Sequence, residues 1–245
     1  MISFFHTILY VPIYNLLIFF VDIVPNGDVG IAVILVTLIV KLILSPFSIS
    51  AMKTQRRMKF VEPQMKEIRE KYKDDREKQA LETLALYKNN GIRPFSSILV
   101  MILQLPVIIA LYYVFRHEHL LSPNTSLIYH FVALPTHISP LFLGMFATTG
   151  HVIILALIAA VFQFIQAYVT IPVPEKPKGT SGSSTEDFAR AMSIQSRFVL
   201  PLLIAVIAYT AGALALYFIT SSIFSILQEY YVRYQLRYLN KPQAA

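Results

Sequence analysis

The chain has 245 residues, 56% of them hydrophobic and only 14% charged, with a formal net charge of +7 and no cysteine. A soluble domain of this size needs more charge to cover its surface, so the composition points to a membrane protein, in which a positive balance is first a topology signal and only second a sign of nucleic-acid binding. The missing cysteine excludes disulfides, thiolate catalysis, Cys-bound metals and a lipoprotein-type anchor.

Residues 1–25, MISFFHTILYVPIYNLLIFFVDIVP, are long enough to span. Ser3, Thr7, Tyr10 and Tyr14 fall at helical spacing on one side with His6 beside them, and Pro12 interrupts the segment. A basic leader and a small-residue cleavage site are both missing, so this is not a signal peptide. We read it as an amphipathic helix in the outer interface, with an extra span as the alternative.

Segment A, residues 26–47, is the first span of a five-helix core and carries ILVTLIVKLILSPF, with Lys41 well inside the apolar run. Residues 48–95 are the one extended charged region and read as a cytoplasmic coiled-coil hairpin. Its first helix carries Met58, Val61, Met65, Ile68 and Tyr72 on one stripe, and its second Leu81, Leu84 and Tyr87 or Lys88. Asp74-Asp75 marks the turn, Pro63 suits a first turn or a kink, and Gly91 and Pro94 close the second helix. The hairpin is either a solvated spacer or a docking arm for an incoming chain, a ribosome or anionic lipid.

Segment B covers 96–115, an outer loop 116–140, segment C 141–171 with an apolar lead-in from Leu141, and a Pro/Gly/Ser-rich cytoplasmic loop 172–197. Segments D (198–212) and E (213–232) follow each other so closely that they form a tight helical hairpin, and a short tail, 233–245, ends the chain. Of the 21 Lys and Arg residues, nineteen lie in 48–95, 172–197 and the tail, leaving only Lys41 and Arg116. This bias places those three regions, and hence the C-terminus, in the cytoplasm.

No Gly-rich phosphate loop, HExxH, GxSxG or paired intramembrane carboxylate is present, so no catalytic residue or cofactor is expected. All fourteen acidic residues lie outside the middle of the spans, which disfavours an ion-coupled transporter. His117-Glu118-His119 resembles a metal cluster on paper, but the loop has no helical frame to fix it, and we expect no metal site. Lys41 is costly, at about 2.5–3.5 kcal/mol for a central lysine. It either snorkels to the cytoplasmic boundary or faces a water-filled cavity. Thr37, Gln104, Gln163, Gln166, Thr210, Thr220, Ser221 and Ser222 share its depth. Each alone is ordinary interhelical glue, but with an unpaired cation they suggest a hydrated groove.

In these strings the chain resembles the YidC/Oxa/Alb family of membrane-protein insertases. Lys41 with Pro46 matches the family's first core helix, where arginine is usual. KFVEPQMKEIREKYKDD through ALYKNNGIRP resembles its cytoplasmic hairpin, ILQLPVIIALYYVF its second core helix, and FQFIQAY the end of its third. RFVLPLLIAVIAY with GALALYFITSSIFSILQEYYVR resembles its final pair. The resemblance implies a hydrophilic groove open to the cytoplasm and to lipid, into which Lys41 projects to attract acidic tails of substrates. It implies a lipid-facing slide on segments B, C and E that includes Tyr112 and Tyr217. It further implies nascent membrane proteins and the bilayer as partners, a ribosome or Sec translocon as further partners, action as a monomer in a bacterial plasma membrane, and no direct nucleic-acid contact. Lysine, unlike arginine, can lose its proton when desolvated, so this mechanism needs a wet groove. The short tail and the absence of a large outer domain suggest a minimal core. The rival function is an assembly chaperone that holds membrane subunits without moving tails across.

Overall fold

In lipid a backbone must satisfy its own hydrogen bonds, and the apolar runs of this chain do so as helices. A computed structural model describes residues 6–92, 96–117, 123–170 and 184–239. A π-helical turn, His6–Tyr10, leads into α1 (Val11–Ile23), followed by α2 (Val29–Phe60), α3 (Glu62–Lys71), α4 (Arg76–Asn89), α5 (Ser96–His117), α6 (Ile153–Thr170), α7 (Ser184–Tyr209) and α8 (Gly212–Leu239). Among the described residues, His6–Ile23, Val29–Phe60, Ile153–Thr170 and Gly212–Leu236 are long and apolar enough to cross a membrane, while the apolar stretches Gln104–Val114 and Arg197–Tyr209 are shorter. The chain divides into two units, one of Met1–Leu42 with Pro106–Gln228 and one of Ile43–Leu105 with Glu229–Ala245.

The first unit is built on small residues that let helices approach closely. Ala32, Ala110, Ala156, Ala159, Ala208, Ala213 and Ala215 are all buried, in one cluster with Tyr14, Leu17, Val33, Val36, Leu111 and Leu214. The exposed side chains of α6 and α7 include the aliphatic Leu157, Val161, Leu202 and Val206, as suits helices whose solvent is lipid. The two helices meet through Phe164 and Phe198, with ring centroids 5.6 Å apart, and through the Arg197 guanidinium 5.0 Å from the Tyr168 ring.

The expected polar side of residues 1–25 divides, with His6 and Thr7 exposed. Tyr10 and Tyr14 are buried, and Ile8, Phe19 and Ile23 form the exposed side; Ser3 lies outside the described residues. The reason is local chemistry. The Tyr14 hydroxyl accepts from the Asn124 backbone N–H at 2.8 Å. Asn15, one residue on, donates to the Leu127 carbonyl at 2.8 Å and accepts from the Tyr129 N–H at 2.7 Å. A loop that needs backbone partners recruits that side of the helix.

Asp28 does the same at the start of α2. One carboxylate oxygen accepts from the Ile31 N–H at 3.0 Å, a helix cap, and the other from the Leu143 N–H at 2.7 Å. The apolar lead-in from Leu141 is therefore not helical. It forms a two-stranded antiparallel ribbon, β1 (Leu141–Phe142) with β2 (Phe146–Ala147), in which Leu141 opposes Ala147 and Phe142 opposes Phe146. Leu143 and Gly144 turn it with positive φ, and α6 starts only at Ile153. At the head of α8 the Ala213 N–H donates to the Thr148 carbonyl at 2.8 Å.

In the second unit α2 does not stop at Phe47. It runs on through Pro46 to Phe60 and breaks only at Val61, which is buried. Pro63 then sits in the first turn of α3, where its missing N–H costs nothing. Asp75 caps α4 by accepting from the Lys78 N–H at 3.0 Å. The expected stripe on α4 is displaced. Leu81 and Leu84 are 60% and 65% exposed, and the sheltered side carries Gln79, Thr83, Leu86 and Tyr87. The Asp75 cap sets where the helix begins, and the Gln79 amide reaches the Arg69 carbonyl at 3.3 Å. At the base of the hairpin, Gly91 turns with φ +59 and Arg57 donates to its carbonyl at 3.0 Å.

Candidate functional site

Lys41 lies in the middle of α2 and is half-buried. Its Nζ donates to the hydroxyl of Ser225, on α8, at 3.3 Å, and Ser225 is itself buried. An ammonium group carries three N–H donors, and this hydroxyl takes one. Among the described residues no carboxylate pairs with Lys41.

The other expected lining residues divide. Thr37, one turn before Lys41, is buried and spends its hydroxyl on its own helix, donating to the Val33 carbonyl at 2.6 Å. Ser221 and Ser222 are buried on α8, and the Ser222 hydroxyl has no hydrogen-bond partner among the described residues. Thr220 is half-buried beside them. Gln163 and Gln166 are half-buried on α6, the Gln166 carbonyl oxygen Oε1 is buried without a partner, and neither side chain is hydrogen-bonded to Lys41. Thr210 donates to the Ile207 carbonyl at 2.7 Å at the end of α7. Gln104 belongs to the second unit and is half-buried there.

Tyr112 is 36% exposed, whereas Tyr217 is 1% exposed and packs edge-on against Phe218, centroids 5.2 Å apart. Tyr217 is thus enclosed by its own bundle, which does not match an outward-facing slide. The His117-Glu118-His119 run lies outside the side chains described, and no group of metal-ligating residues occurs among those that are.

Ser225 was missed from the sequence. Its signal was available, since it stands three and four residues after Ser222 and Ser221 and so shares their side of a helix. Also missed was a buried carboxylate in the second unit. Glu229 is 4% exposed and is bound by Arg56, while Arg233 donates from Nε at 3.1 Å. The Glu229–Arg233 spacing of four is legible in the sequence, but the Arg56 partner is set by tertiary packing alone.

Helices long and apolar enough to span, aliphatic outer faces and a lysine inside the bundle define an all-α integral membrane protein. Residues 19–240 match the family model described as the 60Kd inner membrane protein, and the chain belongs to that family. It is 32% identical over 204 residues to the membrane protein insertase YidC of Clostridium tetani, covering 83% of this chain and 81% of that one. It is 27% identical over 227 residues to the protein of that name in Fusobacterium nucleatum, covering 90% and 96%. The like-named protein of Prosthecochloris aestuarii is 28% identical over 222 residues, which are 90% of this chain but 35% of that longer one.

Proposed function

We propose that the chain is a membrane protein insertase of a bacterial inner membrane. It receives apolar segments of nascent membrane proteins in a polar recess around Lys41, moves a short tail across and releases the segment sideways into lipid. The single observation that carries this reading is the half-buried Lys41 ammonium held on the Ser225 hydroxyl with no carboxylate paired to it among the described residues. A charge kept at membrane depth without an ion-pair partner remains available to an incoming carboxylate. The apolar segment is then driven into lipid by burial of its surface. No covalent step and no cofactor is needed. The C-terminus lies in the cytoplasm by the distribution of Lys and Arg, α1 lies in the outer interface, and α3 with α4 forms a cytoplasmic arm for the nascent chain, its ribosome or a translocon.

The test is Lys41→Gln beside Lys41→Arg in cells depleted of their own insertase. Lys41→Arg supports insertion of substrates with acidic tails, and Lys41→Gln loses it. If Lys41→Gln inserts these substrates as the parent does yet remains needed for subunit assembly, the chain is an assembly chaperone instead.

A further inference from the structure

The segment between α5 and α6 presents apolar side chains outward. Phe131, Leu134, Leu141, Leu143 and Met145 are all exposed, Phe131 at 82% and Met145 at 72%. No Asp, Glu, Lys or Arg stands anywhere from His119 to Val152. We propose that the tip of the β1–β2 ribbon is a membrane anchor, with Leu143 and Met145 inserted among the lipids of the leaflet at which α6 begins.

The ribbon is apolar on both sides. Phe142 and Phe146 are half-buried and packed on the core. Gly30 leaves the room that Phe142 fills, since a β-carbon there would lie 2.5 Å from the ring. Leu141, Leu143 and Met145 take the exposed side. An antiparallel ribbon with one side in water alternates apolar-in with polar-out, and LFLGMF does not alternate. The backbone argues the same way. Leu143 has φ +51 and Gly144 φ +70. Glycine adopts this left-handed region freely, whereas leucine does so at a cost. In water the leucine side chain returns nothing for that cost, but burial of its surface in lipid offsets it.

The occupant follows from where the ribbon is tied, all within the first unit. Asp28 accepts from the Leu143 N–H at 2.7 Å, and the Val29 N–H donates to the Ser139 carbonyl at 3.2 Å, so the ribbon sits at the start of α2. Thr148 links it to the start of α8. Just beyond the ribbon, α6 opens on the exposed Ile153 and Ile154 and is long and apolar enough to span. Ends of membrane-crossing helices lie at the boundary of the hydrocarbon core, and the tip continues the apolar exposure of α6 at that level. A protein partner would be met by a polar rim with charges to pair. Lipid tails need neither, and exposed apolar patches of this kind mark contact with them.

This inference rests on α6 crossing the bilayer, not on insertion of substrates. The chain has no tryptophan, so one introduced indole reports alone. Full-length Met145→Trp is reconstituted in phosphatidylcholine vesicles, with Leu157→Trp of α6 as the lipid reference and Leu84→Trp of the hairpin as the water reference. Emission is recorded with aqueous acrylamide and with phosphatidylcholine brominated on its acyl chains. Met145→Trp emits to the blue of the water reference, resists acrylamide and is quenched by the brominated lipid, as Leu157→Trp is. Adding Leu143→Asp moves the tip toward water by about tenfold, read as a red shift and lost bromolipid quenching. Leu143→Gly relieves the backbone and keeps the fold, yet also weakens that quenching; circular dichroism shows each variant folded. Water-like emission from Met145→Trp overturns the proposal. Blue emission without bromolipid quenching means that protein covers the tip, and overturns it too, as does quenching undiminished in both Leu143 variants. Bromolipid quenching in a chain that inserts no substrate sinks the insertase reading alone.

Discussion

Lys41 of α2 and Ser225 of α8 are joined by one hydrogen bond, Nζ to hydroxyl, at 3.3 Å. The bond ties a charge in the first half of the chain to a helix some 180 residues later, and it fixes which way the ammonium points.

Removing the hydroxyl isolates this contribution. Ser225→Ala takes away an acceptor worth about 1 kcal/mol, or about fivefold in an equilibrium. Translocation of an acidic tail in the depletion assay falls by about that factor, while a neutral tail is affected much less. Ser225→Thr keeps the hydroxyl and restores the acidic tail. Equal loss for both tails would show that Ser225 supports the fold rather than the charge.

Asn15 is a stability determinant. Its amide serves Val11, Leu127 and Tyr129 at once, and the residue is 3% exposed. Asn15→Leu keeps the branched shape but strands a carbonyl and an N–H in a buried place, at a cost of about 2 kcal/mol or more. Thermal unfolding in detergent reads this as a clear fall in Tm, and an unchanged Tm means that the loop finds other partners.

Gly212 opens α8 where a β-carbon would run into the Ala147 carbonyl oxygen. Gly212→Ala must move backbone, and moving it strains the Ala213 to Thr148 hydrogen bond at the same turn. The expected cost is about 1–3 kcal/mol, seen as lower yield and lower Tm. At Gly144 a β-carbon meets nothing within 4 Å, so Gly144→Ala carries only the left-handed backbone term, about 1–2 kcal/mol.

The hairpin register gives a fourth comparison. Leu84→Gln changes an exposed position and leaves stability within about 0.5 kcal/mol. Leu86→Gln, on the sheltered side of α4, lowers protection of the hairpin amides in hydrogen exchange. The reverse order would restore the stripe first expected from sequence.

What could be read from sequence divides along physical lines. The apolar runs, the lysine within one of them and the basic segments between them are local properties, and hydropathy and charge report them directly. The polar side of the N-terminal helix is legible only in part: His6 and Thr7 are exposed, whereas Tyr10 and Tyr14 are buried, since a phenol is at home in a buried place once it finds a hydrogen-bond partner. The α4 stripe was placed by counting leucines, but Asp75 and the packing of Gln79 and Leu86 choose the side. Ser225 carried a readable signal through its spacing from Ser221 and Ser222. Arg56 carried none, since its partner lies 173 residues away and the pair exists only through folding. The Tyr217 assignment came from resemblance to a family, which says nothing of whether a given ring points out or in.

The polar ties around Asn15, Asp28 and Thr148 bear on ion permeability. They tie the described part of the long segment between α5 and α6 to α1 and to the starts of α2 and α8, through the Asn15 and Asp28 side chains and one backbone hydrogen bond at Thr148. A protein that admits water from one side of an energised membrane must be leak-tight on the other, or the proton gradient would drain through it. In the proposed insertase these three anchors would hold that end of the bundle closed, so that water admitted to Lys41 does not short-circuit the membrane.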